Sequence, residues 1–277
     1  MREFQVQEHV PSLVPGESEW KLVWADEFDG SELDRTKWDY RLEMMHRRHK
    51  TWTDDAVYLD GCSNAVFRIY ERDGEVLSSH LQTGSNFMDP PAQEECTADG
   101  MTWPVAPFRE QRFLHGFGYY ECRCRLQRHK GWWSAFWLQS PTIGCSPEPA
   151  FAGVEMDIME SFEPGEVIQH CLHYNGYGKD HKVITAGQGR KQLDLDGWHR
   201  FGMLWDETGY TFYIDGEKDG HAAGPVSRRP QFILISTEVN GYRTKEYAPT
   251  EEARQAAAAG DTFLVDYVRV FDRVEAP

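Results

Sequence analysis

The segment Gly153-Val154-Glu155-Met156-Asp157-Ile158-Met159-Glu160 places three acids within six residues. In an extended strand successive side chains alternate, so Glu155 and Asp157 share one face, with Val154, Met156 and Ile158 on the other. Two acids side by side on a strand repel each other unless something uses them. Glu160 follows Glu155 by an odd number of residues and would point to the opposite face of a regular strand. One bulged residue, most simply at the apolar pair Ile158-Met159, restores it to the acidic face. Converging carboxyls of this kind suit cleavage of a glycosidic bond by double displacement. One attacks the anomeric carbon; the other, held protonated, gives its proton to the leaving oxygen and then activates water. Retention needs the two carboxyls roughly 5–5.5 Å apart, whereas five residues of straight strand span about 16 Å. The side chains must therefore lean together over a curved, bulged strand. A third acid between them can share a proton and raise its neighbour's pKa. The plainer alternative is the solvated acidic face of an edge strand.

The elements that would hold this strand are strands themselves. Strand-like runs recur at Trp20–Trp24, Ala65–Tyr70, Gly118–Leu126, Ser134–Leu138, Val154–Ser161, Ile168–Tyr174, His199–Trp205, Thr211–Ile214, Gln231–Glu238 and Thr262–Phe271. Turn residues such as Asp73-Gly74 and Asp215-Gly216 separate them, and Tyr210–Glu217 reads as a hairpin. Helical periodicity is confined to Thr250–Ala259. Many short strands without alternating helices predict an all-β sandwich or jelly roll. Residues 1–19 read as an N-terminal arm and 20–277 as one domain. The loops at 41–61 and 86–116, rich in Trp, His, Arg and Pro, are long enough to build a binding site.

Composition narrows the partners. A net charge of −16 disfavours nucleic acid and anionic membranes, both of which need clustered cations. No apolar run is long enough to span a bilayer, and the first ten residues lack the apolar core of an export signal, so a cytoplasmic protein is expected, or a secreted one if the sequence has been trimmed; a monomer is also expected. Ten Trp exceed what a core needs and suit flat ligand surfaces. The six Cys are scattered and read as reduced, buried hydrophobes. His170 and His173 face opposite sides of a strand, which argues against a zinc site with His181.

The Glu-x-Asp-x-x-Glu pattern of Glu155, Asp157 and Glu160 resembles the bulged signature of glycoside hydrolase family 16, the laminarinase, agarase and carrageenase type. The resemblance extends through Val23–Gly30, Phe117–Arg123, Gly131–Leu138 and Phe263–Phe271, and so over about residues 20–272. It implies a concanavalin-like β-jelly-roll with a concave substrate cleft and an endo-acting, retaining mechanism on a β-linked glucan or galactan, with no catalytic cofactor. By motif position Glu155 would be the nucleophile, Asp157 its assistant and Glu160 the acid/base. Trp133 and Trp137 match sugar-stacking positions, and His173 matches a histidine close to the acids. Glu238, from another cleft strand, and Trp52, from the basic loop Met44–Trp52, are further candidate substrate contacts. That loop would suit an anionic glycan, or it forms local salt bridges with Asp54 and Asp55. The family also implies a structural calcium, for which Glu27 and Asp266 lie in the right segments. In one departure, Phe151 is the only aromatic where many β-1,3-glucanases carry a Trp before the first Glu. A lectin-like module without catalysis and a transglycosylase using the same covalent intermediate remain open readings.

Overall fold

A computed structural model describes residues 1–91, 96–98, 101–103, 109–190 and 192–274, with backbone alone for 96–98, 101–103 and 188–190. It is the expected all-β sandwich. The sheet that bears the acids has seven strands: β1 (Asp39–Tyr40), β2 (His80–Gln82), β3 (Trp132–Gln139), β4 (Glu155–Glu163), β5 (Val167–Tyr174), β6 (Lys182–Arg190) and β7 (Phe232–Val239). Their spatial order is β6-β5-β4-β3-β7-β2-β1, and all of these neighbours pair antiparallel. The second sheet has eight strands centred on the pair Gly118–Arg125 and Thr262–Arg273, with Trp20–Asp26 pairing beside it.

Period-two alternation builds the core between the sheets. Trp132, Phe136 and Leu138 of β3, Met156 and Ile158 of β4, and Ile233 and Ile235 of β7 are fully buried in one cluster. It also takes Tyr120, Phe201, Phe212 and Val268 from the facing sheet. Each such side chain stabilises the fold by roughly 1.5–3 kcal/mol through burial. The intervening residues of β3, β4 and β7 are thereby turned outward, where the site forms. Asp73-Gly74 and Asp215-Gly216 both have positive φ, as type I′ hairpin turns require. Helix α1 (Pro149–Ala152) is a single turn. Helix α2 (Glu251–Ala258) is capped by Thr250, whose hydroxyl accepts from Ala253 N–H.

Residues 2–14 are tied to the second sheet as a short hairpin, Arg2–Phe4 against Ser12–Val14. Phe4 meets Phe271 edge-on at 5.0 Å. Leu13 N–H donates to the buried carboxylate of Glu121 at 2.9 Å. Fully buried Arg269 donates to Val10 O, Ser12 Oγ and both oxygens of Glu27. The cysteines divide: Cys122, Cys124 and Cys171 are buried as expected, whereas Cys62 and Cys145 are exposed. Both exposed thiols sit in loops, and the Cys96 side chain lies outside the described residues. Among the described residues no helix is long and apolar enough to cross a membrane.

Gly131, just before β3, has φ +96°, and a Cβ there would meet Ala253 N at 2.2 Å. The backbone of α2 rests directly on this glycine. Gly131→Ala is expected to destabilise the fold by at least about 2 kcal/mol, measured as a lower urea midpoint.

Candidate active site

The groove lies on the outer face of the seven-stranded sheet and encloses about 460 Å³. Glu155, Asp157 and Glu160 all line it, with Trp133, Trp137, His173 and Glu238. The parity problem posed by Glu160 is solved where the sequence suggested. Along β3, Trp137 pairs with Asp157 and Phe136 with Met159, so Ile158 has no partner. Along β5, Asp157 pairs with Cys171 and Glu160 with Gln169, three residues against two. Ile158 and Met159 both turn into the core, and Glu160 returns to the face of the other two acids. The extra residue leaves a carbonyl outside the ladder. His170 of β5, fully buried and stacked on Phe212, meets Ile158 O through Nδ1 at 2.6 Å. The sequence reading placed His170 opposite His173 but missed this role.

Each acid has a distinct setting. Glu155 accepts from Gln139 Nε2 at 2.8 Å and from the Tyr177 hydroxyl. Asp157 Oδ2 is 3.3 Å from His173 Nε2, without hydrogen-bond alignment. Burial, then the charge of Glu155, holds the Asp157 carboxyl well above its ordinary 3.8. Burial, then Asp157 and Glu155, does the same to Glu160 relative to 4.5. For His173 burial opposes the charge. The Cys171 hydrogen bond and the charges of Glu155, Cys171 and Glu160 outweigh it, and its pKa is raised. His173 Nδ1 lies 2.9 Å from His181 Nε2, with the two rings nearly coplanar. The arrangement therefore offers one carboxylate oriented by two neutral donors beside two carboxyls that favour their protons. That is the division between nucleophile and acid that acetal cleavage needs.

Glu155, Asp157 and His173 also bring donor atoms within 4.8 Å of one another, the one such group among the described residues. In this group the Asp157 carboxyl favours its proton and His173 Nδ1 is engaged by His181, a setting that suits proton sharing rather than a cation cage. The calcium expectation does not fit Glu27 and Asp266: Glu27 forks onto Arg269, and Asp266 bonds Arg123. Each carboxylate is engaged by a guanidinium group, which supplies the positive charge an ion would otherwise bring.

Other expectations shift. Trp133 and Trp137 face the groove while Trp132 is core, as strict alternation requires. Trp52 is 2% exposed and does not line the groove; it is stacked between His49 and His80. Glu238 lines the groove but is held by both guanidinium arms of Arg243, at 3.0 and 2.6 Å. The basic loop does not pair with Asp54 and Asp55 as expected. Lys50 bonds Glu75, Arg48 donates to Trp52 O, and Asp55 is taken by Arg72, Tyr70 and Thr53. Phe151 is 68% exposed on α1, outside the groove. Arg41, Gln139 and Tyr177 were not foreseen. They come from a loop, a strand end and a turn, and only the three-dimensional pairing brings them to the acids.

A family model described as "Glycosyl hydrolases family 16" matches residues 101–226. The chain is 24% identical over 273 residues to Glucan endo-1,3-beta-glucosidase A1 of Niallia circulans, covering 90% of this chain and 37% of that protein. It is 24% identical over 271 residues to the Glucan endo-1,3-beta-glucosidase of Cryptopygus antarcticus, covering 90% and 91%. The chain spans about a third of the length of three curated relatives it matches, at 37%, 31% and 31%. The solved structure of SCLam, a non-specific endo-beta-1,3(4)-glucanase, superposes with a TM-score of 0.67 at 20% identity, covering 96% of this chain and 95% of that one.

Two outcomes test this geometry. His170→Phe keeps the stacking on Phe212 but removes the bond to Ile158 O. It is expected to cut kcat roughly 100-fold with a smaller change in KM, since misplacing one acid by about 1 Å is that costly. Glu160 binds its proton more tightly folded than unfolded, so stability falls as pH rises from 4.5 towards its raised value. Glu160→Gln is accordingly expected to raise the Tm at neutral pH, the gain vanishing below about pH 4.

Proposed function

We propose that this chain, whose residues 101–226 match the family model described as "Glycosyl hydrolases family 16", hydrolyses internal linkages of a β-linked glucan, with retention, by double displacement. The observation that carries the reading is the bulge at Ile158, which brings Glu160 to the groove face of Glu155 and Asp157. Glu155 attacks the anomeric carbon, its carboxylate aimed by Gln139 and Tyr177. Glu160, protonated in its buried setting, donates to the departing oxygen. It then takes a proton from the water that opens the glycosyl-enzyme ester, and Glu155 leaves as carboxylate. Asp157, between them, keeps a proton near Glu155 and limits the charge the cluster must carry. Trp133 and Trp137 offer ring surface to the C–H faces of sugars. Carboxyl groups supply both nucleophile and acid, so the reaction asks for no cofactor.

The substrate reading follows the relatives named as glucan hydrolases and the charge of the groove. Its two arginines are already paired, Arg41 with Asp89 and Arg243 with Glu238. Beside three acids, that pairing favours a neutral glucan over a sulfated one. Residues 20–277 act as one catalytic domain behind the arm 1–19, as a monomer.

Glu155→Gln is expected to lower reducing-end release from β-1,3- and mixed-linkage glucans by at least about 10³-fold while preserving binding. Equal release by wild type and variant would make the protein a sugar-binding module instead. Products longer than the starting oligosaccharide would make it a transglycosylase.

A further inference from the structure

We infer that the groove is one-ended: a wall of Arg41 and Asp89, backed by buried Trp52, stops a sugar chain on the β1 side, so the site seats a chain end there and cuts an internal linkage at a fixed count from it. This rests on the hydrolase reading above and adds where along a chain the cut falls.

The groove runs across the strands, since its lining comes in turn from β5 (Gln169, His173), β4, β3 and β7 (Ser236, Glu238). Past β5 it is open: on β6, Val183 is 52% exposed and Thr185 is exposed. Past β7 it closes. On β2, His80 and Gln82 pair with Ser236 and Leu234 and so face the groove side, yet both are buried. What covers His80 is an aromatic stack. Trp52 lies 3.9 Å above His80, His49 lies 4.0 Å from Trp52, and the Arg41 guanidinium sits 5.2 Å from the rings of both Trp52 and Trp137.

The wall is fastened rather than draped. Arg41 Nε donates to Asp89 at 2.7 Å. Asn86 donates to Asp89 at 3.0 Å and to Gln139 at 2.6 Å. His46 N–H donates to Met88 O at 2.8 Å. Burial, then the charge of Arg41, holds the His49 pKa down to about 4, and burial puts His80 well below 6.5, so neither adds charge beside Arg41. With Nε committed to Asp89, the terminal N–H groups of Arg41 are the donors that this end of the groove presents. Paired N–H groups in a fixed plane match the adjacent hydroxyls of a terminal sugar ring. A through-running chain would have to occupy the space that Trp52 fills.

The test uses a ladder of linear β-1,3-gluco-oligosaccharides labelled at the reducing end, and a cyclic β-glucan, which has no end. The expected result is one product length from every member of the ladder at the earliest times, with the cyclic glucan left intact. Cleavage of the cyclic glucan, or early products of mixed length, would overturn the one-ended groove while leaving the hydrolase intact. No cleavage of any linear member would overturn the hydrolase reading and this inference with it. Trp52→Ala, folded by circular dichroism, is expected to yield mixed product lengths and to gain activity on the cyclic glucan. A folded Trp52→Ala with the wild-type product pattern would refute the wall. If that variant does not fold, the wild-type ladder decides.

Discussion

The carbonyl of Ile158 organises the groove. A strand buried on one side allows side chains only two directions, and three acids at odd and even spacing cannot share a face without an extra residue. The extra residue leaves a backbone acceptor with no place in the ladder, deep between the sheets. An unsatisfied buried acceptor costs about 1–3 kcal/mol. His170 meets this one at 2.6 Å. Because it comes from the adjoining strand and stacks on Phe212 of the opposite sheet, the bulge is fixed against both layers of the sandwich. The acids' positions are thus set from behind, by the core, before any ligand arrives.

Around that fixed floor, charge is managed by pairing and by proton sharing. Every arginine lining the groove has an acid of its own, so the field at the acids comes mainly from the acids. Low effective dielectric magnifies their mutual repulsion, and two of the three respond by holding protons. The third is stabilised by Gln139 and Tyr177, neutral donors that orient it without quenching it. The fold bears an electrostatic cost at this site, as functional clefts commonly do.

Much of this was readable from residue order. Parity alone separates Trp133 and Trp137 from Trp132, and parity plus three acids locates the bulge. Helix α2 could be read from the Ala-rich run that follows Pro249. What could not be read depends on contacts across tens of residues. Trp52 looks like any aromatic in a long loop until β2 supplies the histidine it stacks on. Tyr177 and Gln139 reach Glu155 from 22 and 16 residues away in the chain. Glu27 and Asp266 resembled ion ligands because their arginine partners, Arg269 and Arg123, are remote in sequence. A carboxylate's type is visible in a sequence, but its counter-charge is not.

The opening hairpin has a consequence for the far side of the molecule. Arg269 and Glu121 are charged groups with no exposure, and part of what satisfies them is the backbone of Val10 and Leu13 and the hydroxyl of Ser12. A chain beginning at Trp20 would open that seal and leave a guanidinium and a carboxyl, side by side on neighbouring strands of the second sheet, with fewer partners than they need. The first fourteen residues therefore behave as the lid of a polar chamber behind the second sheet. Proteolytic trimming there would be felt as lost stability on the face opposite the groove.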